Sequence, residues 1–410
     1  MKILVCLISA QHVPNLLAVH AVRPDKLILL VSDKMVDPAR WLIKALAFGG
    51  LDYGMICEQL RIDKTDSIAH TKSILQEAYE KYPGSEWVVN LTGGTKPMSM
   101  AAYEFFRARG SKMLYVSEAD QSIAIDFSGG SPLNLNHEIS IQEFLAGYGF
   151  DLLNPKSLVG GDTRAEKWFE LAAMMAADQE DASLRGFLGY MQKLSEEKNG
   201  RDRGMNLRAD DRASIRKIEL REKVSDLFGL EVNAVNGVIS GSLDKYAVRF
   251  FTGGWLEVFI WGVLRRFNGD GIWDLRMGIS FGKKGRPYNK LENEWDIAFM
   301  REQSLNIVEC KTGEQAQDPS GSDTLYKIEA IKEQLGAIRV RSYLATTAPN
   351  VVDTKTGVLK DHIATRAHLY GCKIVTRDVI RQLAELHLSE DDGLDQHIAD
   401  IFDIKPEASP

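Results

Sequence analysis

With 410 residues, 44% of them hydrophobic, the chain is long enough for two or three domains with real cores, which excludes a disordered protein. A net charge of −7 excludes an overall basic coat, so any nucleic acid must meet a local patch. Four widely spaced cysteines without a C-x-x-C read as reduced core thiols of a cytoplasmic protein, and no apolar run reaches membrane-spanning length.

The opening segment, MKILVCLISAQH, reads as a first β-strand rather than a signal peptide, because similar apolar strands follow it. KILVCLIS, KLILLVS, DYGMICEQL, EWVVNL and KMLYVS are strand candidates, and helices are predicted near 13–21, 38–48, 66–82 and 97–109. This alternation over residues 1–138 predicts an α/β domain with a parallel sheet and helices on both faces. QSIAIDF adds an edge strand or hairpin.

Two loops of this domain fall at carboxyl ends of parallel strands, where such sheets bind ligands. In VVNLTGGTKPMSM the strand ends near Leu91, glycines follow, and a helix begins at Thr95 to Pro97. Thr95 is placed to cap that helix, and proline is tolerated in its first turn. Gly93 and Gly94 let backbone N–H groups approach an anion, Lys96 adds a cation, and Thr92 and Thr95 add hydroxyls. The first strand ends similarly, in Ser9-Ala10-Gln11-His12.

N-L-T-G-G-T-K-P-M-S resembles the signature of the CARF family, CRISPR-associated sensors with a Rossmann-like fold. That resemblance implies a pocket for a cyclic oligoadenylate second messenger. It carries over to Asn90, Thr92, Gly93, Gly94, Thr95 and Lys96, and more loosely to Ser9 and Gln11. His12 is read as a hydrogen-bonding loop residue.

Residues 139–235 change character and form a helical connector, with ISIQEFLAGYGF, TRAEKWFELAAMMAAD and SLRGFLGYMQKLSEEK as helices. A connector and a degenerate winged helix are both open readings. Lys198 to Lys223 holds nine basic and five acidic residues, read either as a solvated face or as a basic stripe near a catalytic cleft.

From 236 to 390 the expected order is helix, hairpin, helix, strand, helix, strand, helix. The hairpin is NEWDIAFMREQSLNIVECK, with REQS as its turn. Strand periodicity puts Glu294, Asp296 and Ala298 on one face, and Trp295, Ile297 and Phe299 on the other. Leu305, Ile307, Glu309 and Lys311 share a face of the second strand, and pairing can bring Asp296 beside Glu309 and Lys311. Carboxylates are hard ligands suited to Mg²⁺ or Mn²⁺, and a lysine beside them can position water or stabilise a phosphate. The Cys310 carbonyl is a further candidate metal ligand.

This D…E-x-K pattern resembles the PD-(D/E)XK core of restriction-endonuclease-like enzymes. Family likeness then maps a helix glutamate onto Glu257, in GGWLEVFIWGVLRRF, where an unpaired carboxylate is costly. Glu294 is either an accessory ligand or a salt-bridge partner. FGKKGRPYNK, with Lys283, Lys284, Arg286 and Lys290 around Tyr288, is either a nucleic-acid contact or a solvated hairpin tip. Lys327 and Gln334 are placed facing the cleft, and 391–410 is assigned as a C-terminal tail.

Joined, the two halves resemble the CARF–nuclease effectors of type III CRISPR defence. The expectation is a cytoplasmic homodimer without membrane contact. It would be activated by a cyclic oligoadenylate, with cyclic tetra-adenylate suiting a two-fold dimer, and would cut DNA, RNA or both with Mn²⁺ or Mg²⁺. Rival readings are a sensor domain that degrades its own ligand, and a ligand-controlled regulator with an inactive nuclease.

Overall fold

The structure, a computed structural model, describes residues 1–117, 122–209, 212–283, 293–313, 322–336, 339–353 and 356–405. The first half runs β1 (Lys2–Leu7), α1 (Val13–Val22), β2 (Lys26–Ser32), α2 (Val36–Phe48), β3 (Cys57–Ile62), α3 (Ile68–Lys81), β4 (Glu86–Asn90), α4 (Lys96–Arg107) and β5 (Lys112–Val116). The antiparallel strands β6 (Ile123–Asp126) and β7 (Leu133–Asn134) complete it, as the edge hairpin expected of QSIAIDF. The sheet order is β3-β2-β1-β4-β5-β6-β7, with the first five strands parallel. β1 reads as an unbroken apolar run because both its faces are covered: Leu4 and Cys6 join one core, Ile3, Val5 and Leu7 another. Chain order reverses between β1 and β4, so the crevice of this sheet opens beyond Leu7 and Asn90.

The second half runs α5 (Ile141–Gly147), β8 (Asp151–Leu152), α6 (Pro155–Ala177), α7 (Ala182–Lys198), α8 (Gly200–Arg203), β9 (Met205–Leu207), α9 (Ile218–Phe228), β10 (Glu231–Val232), β11 (Ile239–Leu243), α10 (Lys245–Arg249) and α11 (Trp255–Leu264). It continues with β12 (Trp273–Gly282), β13 (Asn293–Arg301), β14 (Ser304–Lys311), α12 (Ser322–Gln334), β15 (Val340–Thr346), α13 (Asp361–Leu369), β16 (Cys372–Val375), α14 (Arg377–Leu388) and α15 (Leu394–Phe402). A six-stranded sheet, β16-β15-β14-β13-β12-β8, forms its centre, and a three-stranded sheet, β10-β11-β9, lies beside it.

The segment 139–235 is mostly helical, and it shares the second half's core: β8 extends the central sheet, and α6 packs along α11 and α14 with Leu256, Phe259 and Ile380. Two expectations need correction. Residues 391–410 are not a tail throughout, because α15 buries Leu394, Ile398 and Phe402, and the Phe402 carbonyl accepts from Arg301 Nη1 and Tyr343 OH. The PEASP end, residues 406–410, lies outside the described residues. Finally, the 23 residues Lys245–Phe267, which hold α10 and α11 on either side of a kink, are long and apolar enough by length and composition to cross a membrane, contrary to the sequence reading. Most of this apolar stretch is buried inside the protein, as a core helix must be to hide that much apolar surface.

One core joins the halves, running from Leu16 and Leu42 through Phe144 to Trp295, Leu305 and Leu344. Polar contacts reinforce the junction. The REQS turn has left-handed Glu302 and Gln303, and the Gln303 side chain accepts from Ile139 N at 3.2 Å and donates to His137 O at 2.6 Å.

Candidate active site and ligand loops

β13 and β14 pair antiparallel with Ile297 opposite Val308, which puts Asp296 level with Glu309. Lys311 Nζ lies 3.4 Å from Glu309 Oε2 and 3.9 Å from Asp296 Oδ2. The Cys310 N–H donates to Asp296 Oδ2 at 2.6 Å, fixing that carboxylate against β14. This N–H is what the structure shows of Cys310 at the site. Its thiol is buried in the core, and burial pushes it well above the ordinary thiol range.

The faces of β14 alternate as expected, with Leu305 and Ile307 in one core and Val308 and Cys310 in the other. β13 departs from its pattern. Trp295 packs with Ala298 and Met300 and lies tilted against Phe281, while Ile297 and Phe299 pack on the α11 side. The alternation therefore reverses at Asp296. Opposite it in β12 stands Gly278, left-handed at φ +66°, and no ladder pair joins the two. The reversal brings Asp296 to the side of α11.

Glu257 comes from that helix. α10 meets α11 at a kink within Phe250–Gly254, where Thr252 and Gly253 leave helical geometry and Gly253 stands at φ +133°. A Cβ on Gly253 would stand 3.2 Å from Thr312 Oγ1, so the helix start lies close on the end of β14. Glu257, Glu294, Asp296 and Lys311 line one open cavity of about 830 Å³. Burial raises the Glu257 carboxyl above its ordinary range, and the Asp296 charge raises it further. The same two causes raise Glu309, and burial raises Asp296. Burial alone would lower Lys311, but Asp296 and Glu309 outweigh it and hold the amine as an ammonium.

Glu294 is exposed in the cavity and pairs with no cation among the described residues. Lys327 of α12 places its charge near Asp296 and Glu309, whereas Gln334 is exposed at the far end of that helix, about 10 Å along. Lys283 rests its ammonium over Phe150 at 4.6 Å and Trp41 at 5.7 Å. Lys284, Arg286, Tyr288 and Lys290 lie outside the described residues.

In the first half, Thr95 caps α4, accepting from Met98 N at 3.4 Å and donating to Thr65 O at 2.8 Å. Gly94 is left-handed at φ +74°, and a Cβ on Gly93 would stand 1.9 Å from Leu7 O, so only glycine lets this loop close on β1. Lys96 is exposed and unpaired among the described residues. Ser9 Oγ donates to Gln11 O at 3.1 Å. Asn90 is fully buried; its Nδ2 donates to Asn15 Oδ1 and Pro14 O, and its Oδ1 accepts from Thr92 N and Oγ1. Thr92 Oγ1 also accepts from Val116 N at 2.8 Å, so both side chains brace the loop from within.

Residues 3–144 match the family described as the Card1 CARF domain, and residues 244–386 match the Card1-like endonuclease domain. The chain pairs a CARF domain with a Card1-like endonuclease domain. Among solved structures, it resembles Can2 from Sulfobacillus thermosulfidooxidans in complex with cyclic tetra-adenylate, at 21% identity and a TM-score of 0.69, over 95% of this chain and 99% of that one. VC1899 from Vibrio cholerae is 20% identical with a TM-score of 0.75, over 97% and 98%. A type III CRISPR defence DNA nuclease activated by cyclic oligoadenylate is 15% identical with a TM-score of 0.50, over 90% of this chain and 51% of that one. No curated protein sequence matches the chain.

Two CARF-loop expectations change in the folded protein. Gln11 does not stand open toward the crevice: its Nε2 donates to Gly336 O at 3.0 Å and its Oε1 accepts from Tyr148 OH at 3.1 Å. It spans from the CARF domain to the end of α12. His12 is no loop hydrogen-bonder. Neither ring nitrogen has a partner among the described residues, and the ring sits edge-on to Phe144 and Tyr148. Burial holds it neutral, at a pKa of about 3.

The endonuclease cavity also contains residues that sequence reasoning missed. Arg164 of α6 and Lys245 and Tyr246 of α10 line it, as does Arg201 from the charge-rich segment. Arg201 donates to Thr252 Oγ1 at 3.0 Å and Thr252 O at 2.6 Å, so one part of that segment does reach the cleft. Lys217 pairs with Asp178 at 2.7 Å. Nothing in the spacing of Arg164 marks it, because its approach depends on α6 packing on α11.

Proposed function

We propose that this chain is a cyclic oligoadenylate-activated, metal-dependent endonuclease of the PD-(D/E)XK type, acting as a cytoplasmic homodimer in type III CRISPR defence. The observation that carries the reading is the meeting of Glu257, Asp296 and Lys311 at one cleft, with the buried Glu309 carboxylate 3.4 Å from Lys311, in a chain that also has a CARF domain. The likeness to Can2 bound to cyclic tetra-adenylate supports that ring as activator, and the likeness to a DNA nuclease supports DNA as a substrate, with RNA a second.

The residues fit a hard divalent ion. Three crowded carboxylates face one close lysine, and burial with mutual repulsion raises their affinity for protons. Glu257, Asp296 and Glu309 are the side chains that would hold Mg²⁺ or Mn²⁺, which activates water and neutralises phosphate charge. Lys311 stays protonated between two carboxylates, so it acts as a donor that positions water or phosphate, not as the base. The Cys310 N–H keeps Asp296 in place. In the CARF domain, Lys96, Thr95, Ser9 and the N–H groups opening α4 are the groups that would meet ligand phosphates, while Asn90, Thr92, Gly93 and Gly94 shape the loop.

The test is a panel of supercoiled plasmid, single-stranded DNA and RNA, with Mn²⁺, Mg²⁺ or chelator, with and without each cyclic oligoadenylate. Cleavage is expected only with both metal and ligand. Asp296→Asn and Glu309→Ala are each expected to lose about a hundredfold or more, since metal catalysis supplies several kcal/mol. Near-normal metal-dependent cleavage by either variant rejects the assignment, and cleavage at full rate without ligand rejects the activation.

A further inference from the structure

The cleft that gathers the carboxylates has a second wall of opposite charge, built partly by the segment between the two matched domains. Arg164 of α6 reaches over α10, with its guanidinium carbon 4.0 Å from the centre of the Tyr246 ring. Lys245 Nζ lies 5.1 Å from the same centre. All three line the cavity that also holds Glu257, Asp296 and Lys311.

Neither cation has a carboxylate partner among the described residues. The acids nearest Arg164 in α6 are engaged elsewhere: Asp162 with Arg276 at 3.3 Å and Glu166 with Arg265 at 2.7 Å. Arg249 differs, since it pairs with Asp202 at 3.5 Å and helps hold the wall. Tyr246 is 36% exposed, although α10 is otherwise anchored by the buried Ala247 and Val248. Asp244 caps that helix, accepting from Ala247 N at 2.7 Å, so the ring is presented from a fixed turn.

We propose that Tyr246, Arg164 and Lys245 form a strand-binding subsite of the nuclease, in which Tyr246 stacks on an unpaired base beside the scissile phosphate and the two cations hold the flanking backbone. This rests on the endonuclease reading above. An aromatic ring stacks only on a base whose face is free, and unpaired cations follow the phosphates. The subsite therefore selects a single strand, or a duplex opened at the cut.

The experiment separates binding from chemistry. Fluorescence anisotropy with labelled oligo-dT, oligo-rU and a matching duplex is run on the full chain in an Asp296→Asn background, with cyclic tetra-adenylate present. Tyr246→Ala is expected to weaken single-strand binding roughly fivefold to a hundredfold, the range of one lost stacked base. Tyr246→Phe is expected to keep it, because the ring remains. Arg164→Ala is expected to lower the salt dependence of single-strand binding by about 0.7 in log–log slope, one phosphate contact. In the active enzyme, Tyr246→Ala should raise KM more than it lowers kcat. Unchanged single-strand affinity in Tyr246→Ala overturns the proposal, and so does a Phe variant that loses as much as Ala. A wild-type protein that cuts nothing overturns the endonuclease reading instead, while the anisotropy still decides the subsite.

Discussion

Asp296 meets Glu257 because the strand alternation reverses at one residue opposite a left-handed glycine. The cost of crowding three carboxylates there has a measurable consequence. Glu257 is pushed up to about 8 and Glu309 to about 7, from an ordinary value of 4.5. Their folded pKa values lie above the unfolded ones, so the folded state binds more protons between these limits and stability falls as pH rises. In chelator, the thermal midpoint is expected to fall from pH 5 to pH 8. Mn²⁺ should restore more at pH 8 than at pH 5, because ligation needs the ionised carboxylates. A midpoint in chelator that rises over that range, or an equal metal effect at both pH values, contradicts this account. In the CARF loop, Lys96→Ala removes an exposed cation and is expected to weaken cyclic tetra-adenylate binding roughly tenfold to a hundredfold, the value of a charged hydrogen bond. Calorimetry checks it, and cleavage should recover at saturating ligand.

At the scale of elements, α12 runs between the two candidate sites. It carries Lys327 near Asp296 and Glu309, and just past its end Gly336 takes the hydrogen bond from Gln11. Gln11 follows β1 at the mouth of the CARF crevice, two residues from Ser9. Gln11→Ala is therefore expected to lower the cleavage rate reached at saturating ligand while leaving the ligand Kd within about twofold, since Gln11 joins the CARF domain to α12 and is not itself a contact of the ligand. A loss of affinity matching the loss of activation would return Gln11 to the ligand pocket. At the other end of the chain, α15 is structural. Phe402→Ala is expected to cost about 3–5 kcal/mol, the range for a buried phenylalanine, and denaturant unfolding measures it.

For the whole molecule, the CARF loops and the candidate nuclease cleft sit on one chain whose junction is an apolar core, so in the proposed activation a change at one would reach the other through packed elements rather than a free linker. A ring with two-fold symmetry best matches a pocket made from two copies of one surface. The expected stoichiometry is one cyclic tetra-adenylate per two chains, with a more compact liganded form in small-angle scattering. Moving such a dimer from about 1% to 99% active needs roughly 5.5 kcal/mol of differential affinity, which phosphates meeting Lys96 and loop N–H groups from both copies can supply. One ligand per chain in calorimetry rejects this arrangement.

Sequence alone was enough for the succession of strands and helices along the CARF domain, the cap at Thr95, the hairpin and the grouping of Asp296, Glu309 and Lys311. These depend on local periodicity and short-range pairing, which a chain writes directly into its residues. Glu257 needed family likeness as well, because helix and hairpin meet only through packing. The reversal at Asp296, the engagement of Gln11 with Gly336 and the buried ring of His12 had no local signal. Nor did the helix at 394–402 or the approach of Arg164 to Tyr246. Each is set by what a distant element presents to it, and a contact between residues such as 11 and 336 is decided by tertiary packing rather than by the pattern on either side.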